Sequence, residues 1–228
     1  MDNKSAERID NAIKCFGGSP SDWRLHINGG GAVYRSAFVS ATAYVGENAL
    51  VFGDAHILGT AEIRDNAEVY DKAFMTGNVQ ISGCAKVYAE AKVIENAIVR
   101  GYARVCGNVV VCEKAVIGEF AEIGGNATVG GTASVSGRAR IQGDAIIEDS
   151  MIIHDGIWET KPLYINGTRD NMNMINHQEL RIGCHAYPLG KWQQDYKSII
   201  GEANGYTKDQ IIEYKRYIDL FVEMYGAK

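Results

Sequence analysis

Residues 85–108 read AKVYAEAKVIENAIVRGYARVCGN, which is four successive copies of a six-residue unit with alanine two places before an aliphatic residue. The spacing extends well beyond this stretch, because a branched aliphatic residue or methionine occupies every sixth position from Val33 to Ile153. A period this short leaves room for one short strand and one corner in each unit. The repeat therefore predicts a β-solenoid and a mainly β fold.

Within each unit the alanine and the aliphatic residue are two positions apart, so in a strand both point to the same side. We expect these residues to line a narrow interior, with the residue between them facing outward. The corners carry glycine, asparagine and aspartate, as at Gly53-Asp54 and Gly107-Asn108. These residue types accept positive φ or bond to their own backbone. Proline is absent from residues 33–153, as a fully paired ladder requires.

These units resemble the hexapeptide-repeat superfamily, and the resemblance covers about residues 33–153. It implies a left-handed parallel β-helix with three hexads in each triangular coil. The uninterrupted units, together with Asn-Gly-Gly-Gly at 28–31 and Gly-Cys-His at 183–185, are similar to uncharacterised phage and prophage proteins labelled putative transferases. That label follows the fold, and a fold alone does not establish an activity.

The chain departs from the enzymes of this superfamily in where its glycines fall. In those enzymes glycine usually follows the aliphatic residue directly. That order occurs here at Ile117-Gly118, Ile123-Gly124 and Val129-Gly130. Eight of the other hexads carry glycine one place later.

Three segments are predicted. Residues 1–32 form an N-terminal helix and cap, residues 33–154 form the β-helix, and residues 155–228 form a small α+β domain that ends in an amphipathic helix. The first helix is expected over residues 3–16, where apolar residues share one face before Gly17-Gly18. After it, Trp23 and Ile27 are expected to plug the first open coil.

The C-terminal segment has two strand-like runs, at residues 162–165 and 180–182, and a capping-box sequence at Thr207–Gln210. This box predicts the start of a helix that continues to Gly226. Its apolar face must pack on the solenoid or on a second subunit. The candidates for an oligomer interface on this helix are Tyr214, Tyr217 and Phe221.

If three hexads close a coil, residues 18 apart stack at a spacing of about 4.8 Å. The outward aromatic residues then form two columns, and these give the predicted binding surface: Tyr34, Phe52, Tyr70 and Tyr88 in one, and Phe38 and Phe74, with His56 between them, in the other. An exposed apolar stripe usually marks a subunit or partner interface. Ring stacking that only holds the coils in register is an alternative, and a ligand platform is a third.

The resemblance also implies a possible chemistry, because hexapeptide-repeat acyltransferases use a histidine base beside an extruded loop, with coenzyme A lying between subunits of a trimer. No loop interrupts these hexads. The histidines that could serve as a base are His154 and His56, and each also has a structural interpretation, as a cap residue and as a surface or interface residue respectively. Coenzyme A is expected only under this alternative, and otherwise no cofactor is expected.

The five cysteines are odd in number and scattered, which is typical of reduced thiols and not of a disulfide or zinc framework. Cys184 stands beside His185, but adjacent strand residues face opposite sides. Cys184 is therefore expected to be a packed small hydrophobe. The five histidines are too dispersed for the three-histidine pattern of a metal enzyme, so no metal is expected.

The chain has 23 basic and 28 acidic residues and a formal net charge of -5. This acidity argues against a nucleic-acid partner, which needs clustered Lys and Arg. No apolar run approaches a membrane span, and the first five residues, Met-Asp-Asn-Lys-Ser, have no signal-peptide core. We therefore expect no membrane association and a cytoplasmic location, in the host cytoplasm if the protein is phage-encoded.

The hypothesis that these observations favour is a non-catalytic binding or scaffold protein that assembles as a homo-oligomer, either a dimer or a trimer. Its partner is expected to be a macromolecule. The resemblance to phage proteins implies a host protein as that partner, with the chain acting as a counter-defence inhibitor. Two alternatives remain, an acyltransferase that uses an acyl-coenzyme A donor and a structural component of a virion.

Overall fold

A computed structural model describes residues 3–226 of the chain. From Ala32 to Trp158 the backbone winds as a parallel β-solenoid of about seven turns, and its strands form three sheets. We call these sheets face A, face B and face C, in the order in which the chain visits them. The predicted mainly β solenoid is confirmed. The left-handed sense of winding, which the resemblance implies, stays a prediction.

Face A has nine strands, and its first strand runs antiparallel to the second. Its strands in spatial order are β1 (Trp23–Leu25), β2 (Ala32–Tyr34), β5 (Leu50–Val51), β8 (Glu68–Val69), β11 (Lys86–Val87), β14 (Arg104–Val105), β17 (Glu122–Ile123), β20 (Arg140–Ile141) and β23 (Ile157–Trp158).

Faces B and C have seven strands each. Those of face B are β3 (Phe38–Val39), β6 (His56–Ile57), β9 (Phe74–Gly77), β12 (Lys92–Glu95), β15 (Val110–Val111), β18 (Thr128–Val129) and β21 (Ile146–Ile147). Those of face C are β4 (Tyr44–Val45), β7 (Glu62–Ile63), β10 (Gln80–Ile81), β13 (Ile98–Val99), β16 (Val116–Ile117), β19 (Ser134–Val135) and β22 (Ile152–Ile153).

The register of the parallel strands shows that three hexads close one coil. Lys86 pairs with Glu68 in the preceding coil and with Arg104 in the following one, each 18 residues away. The last coil is one residue shorter, because Arg140 pairs with Ile157. Outward residues 18 apart therefore form columns along the solenoid, as the hexad period predicts.

The interior contains the alanine and aliphatic positions of each hexad. From Ala43 to Ile153 the inward-pointing side chains at these positions are at most 1% exposed. Full burial of one valine or isoleucine side chain contributes about 1.5–3 kcal/mol. Because each coil repeats the same small-and-large pair, this contribution recurs along the whole solenoid.

The corners place one residue of nearly every hexad at positive φ. Several of these residues are not glycine, and an acidic side chain there can bond to the next coil: the Asp65 carboxylate accepts a hydrogen bond from the Gly83 N–H at 2.9 Å. Gly131 occupies the same corner position at φ +64, and a Cβ added to it would lie 2.5 Å from the Asp149 carbonyl oxygen. The corners therefore combine glycines with acidic residues whose hydrogen bonds offset backbone strain.

The N-terminal cap consists of helix α1 (Asn3–Phe16), a short 3-10 helix (Pro20–Asp22) and strand β1. The predicted first helix is confirmed. Ile9 and Ala12 of α1 pack with Trp23 into a small apolar cluster on the first coil. Trp23 is 5% exposed, in agreement with its predicted place in the plug.

Ile27 is 88% exposed, so its predicted place in the plug is wrong. It lies in a turn in which the Gly30 N–H donates to the His26 carbonyl oxygen. His26 is the buried residue instead, and its Nε2 lies 3.1 Å from the Ser40 carbonyl oxygen. The His26 imidazole thus reaches a backbone carbonyl group of the first coil, with which the apolar Ile27 side chain could not form a hydrogen bond.

The C-terminal domain is a four-stranded antiparallel sheet with two helices. The sheet contains β24 (Tyr164–Asn166), β25 (Asn171–Met174), β26 (Glu179–Ile182) and β27 (His185–Pro188), and the helices are α2 (Leu189–Ile199) and α3 (Lys208–Tyr225), with a 3-10 helix at Glu202–Asn204 between them. The predicted run 180–182 lies in β26, and the predicted run 162–165 overlaps β24 only at Tyr164 and Ile165. The capping box is also present, because the Gln210 N–H donates to Thr207 Oγ1 at 3.2 Å and the Thr207 N–H donates to Gln210 Oε1 at 3.0 Å.

Three side chains of α3 that were candidates for an oligomer interface pack within the chain. Tyr214 and Phe221 are fully buried, and Tyr217 is half-buried against the same core. The Tyr214 hydroxyl also accepts a hydrogen bond from the Arg169 N–H at 3.1 Å and donates one to the Asp170 carbonyl oxygen at 2.8 Å. Tyr214 and Phe221 therefore have no surface to offer a second copy, because this helix closes its own domain.

The outermost parts of the predicted terminal segments, residues 1–2 and 227–228, lie outside the described residues. Across residues 3–226, none of the helices has both the length and the apolar composition that crossing a bilayer would require.

Candidate binding surfaces

Side chains fill the interior of the solenoid, so binding sites are expected on its outer surface. The inward side chains of successive coils are fully buried against one another. The clefts described below are open depressions on the faces, formed where small outward residues follow large ones. Each face is therefore considered as a possible binding surface.

Face A carries a column of stacked rings at the position after each aliphatic residue. The Phe52 and Tyr70 ring centroids are 4.7 Å apart and the Tyr70 and Tyr88 centroids 4.9 Å apart, with interplanar angles of 3° in both pairs. These distances match the coil spacing of about 4.8 Å. The 18-residue column expected from the sequence is present for these three residues.

The N-terminal cap covers the first part of this column. The Phe16 ring of α1 lies 4.2 Å from the Phe52 ring, and the Trp23 ring lies 5.1 Å from the Tyr34 ring, edge to face. Tyr34, Phe52, Tyr70 and Tyr88 are all half-buried. The stripe is therefore not the freely exposed four-ring surface expected from the sequence, because the cap packs on its first two members.

The column ends at Tyr88, where smaller residues follow. The next coil has Cys106 at this position, and hydrogen bonding to its thiol, with burial, raises the pKa of the Tyr88 hydroxyl to about 12. Gly124 comes next, and this decrease in side-chain size leaves a shallow cleft of about 210 Å³. Its rim includes Arg140, which forms an ion pair with Glu122 at 3.1 Å.

One coil carries glycine after the aliphatic residue on all three faces, at Gly118, Gly124 and Gly130. None of the three has positive φ, so their role is to leave space and not to allow a special backbone conformation. A Cβ at Gly118 would lie 3.7 Å from the Arg100 side chain, and one at Gly124 would lie 3.8 Å from Cys106 Sγ. This coil therefore forms a waist with a notch on faces A and C, whereas on face B a Cβ at Gly130 would lie only 3.1 Å from Cys112 Sγ.

Face B carries few charged residues in its outward row. Its outward row contains Phe38, His56, Phe74, Lys92, Val110, Thr128 and Ile146. Lys92 is the one residue of this row with a full charge at neutral pH, whereas the corresponding row of face A has Glu68, Lys86, Arg104, Glu122 and Arg140. Phe38 is 53% exposed and Ile146 is 41% exposed. This row presents a mostly apolar surface about 29 Å long over seven strands, interrupted by His56, Lys92 and Thr128.

Face C has a cleft of about 410 Å³ beside its corner with face A. Gly118 lies at its floor, Arg100 and Ser136 lie on either side along the solenoid axis, and the Tyr102 and Phe120 rings line the corner. The two ring centroids are 5.1 Å apart with an interplanar angle of 5°. At 59% and 58% exposed, they are more accessible than the half-buried ring column of face A.

The sequence analysis missed the Tyr102–Phe120 pair. These residues are 18 apart, so the rule that found the column on face A would have found them if applied to the last position of the hexad. The columns considered first came from positions beside the aliphatic residue. Corner residues turn outward as well, which makes this pair accessible on the surface.

The two histidines considered as catalytic bases lie on different faces. His56 is exposed on face B, where its Nδ1 is 2.9 Å from the Asp54 carbonyl oxygen. His154 is exposed at the end of face C, and its Nδ1 is 3.2 Å from Ser136 Oγ. The structure records no ion pair between either imidazole and a carboxylate among residues 3–226. Within the described residues, no carboxylate bonds to either imidazole to orient it as a catalytic dyad would.

The remaining candidate residues do not converge. Cys184 is exposed at the turn between β26 and β27, so its predicted packing is wrong. All five cysteines are free thiols. Within the described part of the chain, no group of three or more histidine, cysteine, aspartate or glutamate side chains has an arrangement that could hold a metal ion.

Comparison of the chain with protein-family models, with curated proteins and with solved structures finds no significant match.

Proposed function

We propose that the chain is a non-catalytic binding protein that holds a macromolecular partner on face B. The observation that carries this proposal is the long, mostly apolar row of face B, which contains one lysine, Lys92, and no arginine, aspartate or glutamate. Contiguous exposed apolar surface on a protein of this size usually marks an interaction site. The other two faces carry charged residues or clefts and are less suited to a flat interface.

Face B is also rigid. Its outward residues stand on strands whose backbone groups bond to both neighbouring coils, as when the Val110 N–H donates to the Ala127 carbonyl oxygen at 3.0 Å. Little conformational entropy is lost when a partner binds a surface that is already ordered. A regular parallel sheet with apolar side chains therefore suits a scaffold better than a catalytic centre, which needs convergent polar groups.

The resemblance to phage proteins supports a host protein as the partner and a counter-defence inhibitor as the finer proposal. A second copy of the chain is the other macromolecule that a flat apolar face suits, and it would give the expected homo-oligomer. Light scattering distinguishes the two, because self-association raises the mass of the purified chain whereas a heterologous partner does not.

The test uses two matched double variants in the same coils. Val110→Glu with Ile146→Glu places two charges on face B, and Val116→Glu with Ile152→Glu places them on face C, six residues further along. We expect the face B variant to lose the partner recovered from bacterial lysate, or the self-association seen by light scattering, while the face C variant keeps it. Equal behaviour of the two variants, or a wild-type chain that is monomeric and recovers nothing, would contradict the proposal.

A second candidate is an acyltransferase with a coenzyme A donor. The contact between His154 and Ser136 favours it, because it places an imidazole near the cleft of face C. The test is transfer of an acetyl group from acetyl-coenzyme A to candidate amine and hydroxyl acceptors. Activity that disappears in His154→Ala and persists in His56→Ala would favour the enzyme over the binding protein.

A further inference from the structure

The cleft of face C combines a free cation with open aromatic surface. Arg100 lines it, and its guanidinium forms no hydrogen bond or ion pair in the described part of the chain. Two coils earlier in the same column, Arg64 is bound to Glu62 at 2.9 Å. Arg100 lacks this partner because Ile98 occupies the position that corresponds to Glu62. A guanidinium without an internal carboxylate is available to an anion from solution.

The Tyr102 and Phe120 rings provide the aromatic part of the cleft. Neither ring has a third ring or a cation against it among the described residues. The column of face A shows that rings in successive coils stack at 4.7 and 4.9 Å. A flat ring from a ligand can extend the Tyr102–Phe120 pair in the same way, since the coil spacing equals a stacking distance.

The space between these groups suits a compact anion. The Gly118 notch separates Arg100 from Ser136, which lies two coils further on, or about 10 Å at the coil spacing. Glu119 also lines the cleft and would repel an anion, but its carboxylate is held at the corner, where it accepts a hydrogen bond from the Gly137 N–H at 2.8 Å. An anion in the notch therefore has a guanidinium on one side and a hydroxyl on the other.

We propose that the face C cleft binds a nucleotide, with the base against the Tyr102 and Phe120 rings and the phosphate in the Gly118 notch between Arg100 and Ser136. A nucleotide has both required features, a flat aromatic ring and a phosphate within one small molecule. The volume of about 410 Å³ lies in the range of about 300–1,000 Å³ typical of small-molecule sites. A nucleic-acid strand fits less well, because the chain has a formal net charge of -5 and strand binding needs clustered cations.

The test is calorimetric titration of the full chain with AMP and ATP, compared with adenosine, inorganic phosphate and a short single-stranded oligoadenylate. We expect the two nucleotides to bind, and adenosine and phosphate to bind at least about tenfold more weakly, because each satisfies only half of the site. Equal affinity for phosphate and AMP, or binding of the oligoadenylate alone, would overturn the proposal.

Matched variants assign any binding to this cleft. Gly118→Val fills the notch, and Gly124→Val fills the equivalent notch of face A; both glycines have ordinary φ and open space, so both variants should keep the fold seen by circular dichroism. We expect Gly118→Val and Phe120→Ala to weaken AMP binding about tenfold or more, and Gly124→Val to leave it unchanged. Nucleotide binding that survives Gly118→Val and Phe120→Ala in folded protein would place the ligand elsewhere and refute the assignment.

Discussion

Two single substitutions, one of an inward residue and one of the outward residue that precedes it, test the packing of the solenoid directly. Ile117 is fully buried and Val116, the preceding residue, is half-buried on face C. Ile117→Ala removes three buried carbon groups, which at about 0.8 kcal/mol each gives about 2.4 kcal/mol. The cavity that remains raises the expected loss of unfolding free energy to about 3–4 kcal/mol. Val116→Ala removes two partly solvated groups and should cost less than about 1 kcal/mol.

The assay is urea denaturation followed by far-ultraviolet circular dichroism on the wild type and both variants. Repeat folds can unfold in steps, so the comparison requires the denaturant slope of the transition to be the same in all three proteins. We expect the midpoint to fall much more for Ile117→Ala than for Val116→Ala. Equal losses, or a larger loss for Val116→Ala, would refute the assignment of these residues to the inside and the outside of the coil.

Three further outcomes follow from individual contacts. Gly131→Ala should lower the unfolding free energy by about 1–2 kcal/mol or more, because the residue has positive φ and the added Cβ meets the Asp149 backbone. Gly118→Ala, the control, should be nearly neutral, and thermal denaturation of the two variants measures the difference. The Thr168 hydroxyl and N–H lower the pKa of Glu213 below its ordinary value of 4.5. The stabilisation by this carboxylate is therefore fully present above pH 4.5 and is lost as the pH falls through the lowered pKa. The difference in unfolding free energy between wild type and Glu213→Gln, measured by denaturation at acidic pH, should shrink as the pH falls. Cys106→Ala should lower the pKa of Tyr88 from about 12 toward its ordinary value of 10.0, measured by NMR titration of labelled tyrosine, and an unchanged pKa would contradict the thiol contact.

The solenoid is predictable from the sequence because each hexad repeats the same local requirement. Val87, Val105 and Ile123 recur at the same position, so inward packing and strand register follow from the period alone. The ring column of Phe52, Tyr70 and Tyr88 follows from the same period once three hexads form a coil. No three-dimensional information beyond the coil length is needed for these features.

The parts that depend on docking between distant segments were not predictable. That Phe16 covers Phe52 depends on how α1 lies on the first coil, which no repeat specifies. The strand Asn171–Met174 has alternating asparagine and methionine and no strong strand composition, and it forms because β24 and β26 lie on either side of it. Its Asn173 is fully buried, where it bonds to Arg181 and to the Ile152 carbonyl oxygen.

The candidate sites divide in the same way. The three glycines of the waist can be seen in the sequence, each directly after an aliphatic residue. That two of them leave notches cannot be seen there, because a notch forms only where larger side chains stand in the adjacent coils. Among the described residues, the Arg100 guanidinium has no carboxylate partner, because Ile98 stands at the position that Glu62 occupies two coils earlier. This correspondence is seen only when the two coils are superimposed. The sequence contains both facts, and the coil geometry shows that they concern one cleft.

Every surface assigned above depends on which residues the winding brings side by side, and thiol crosslinking reports that contact directly. In a chain with its own five cysteines replaced, cysteines at positions 110 and 128 should join rapidly through a short crosslinker, since Val110 and Thr128 are paired neighbours on face B. Cysteines at positions 110 and 116, six residues apart on different faces, should not join. Efficient crosslinking of the second pair with none of the first would contradict the winding, and with it the faces on which both binding proposals rest.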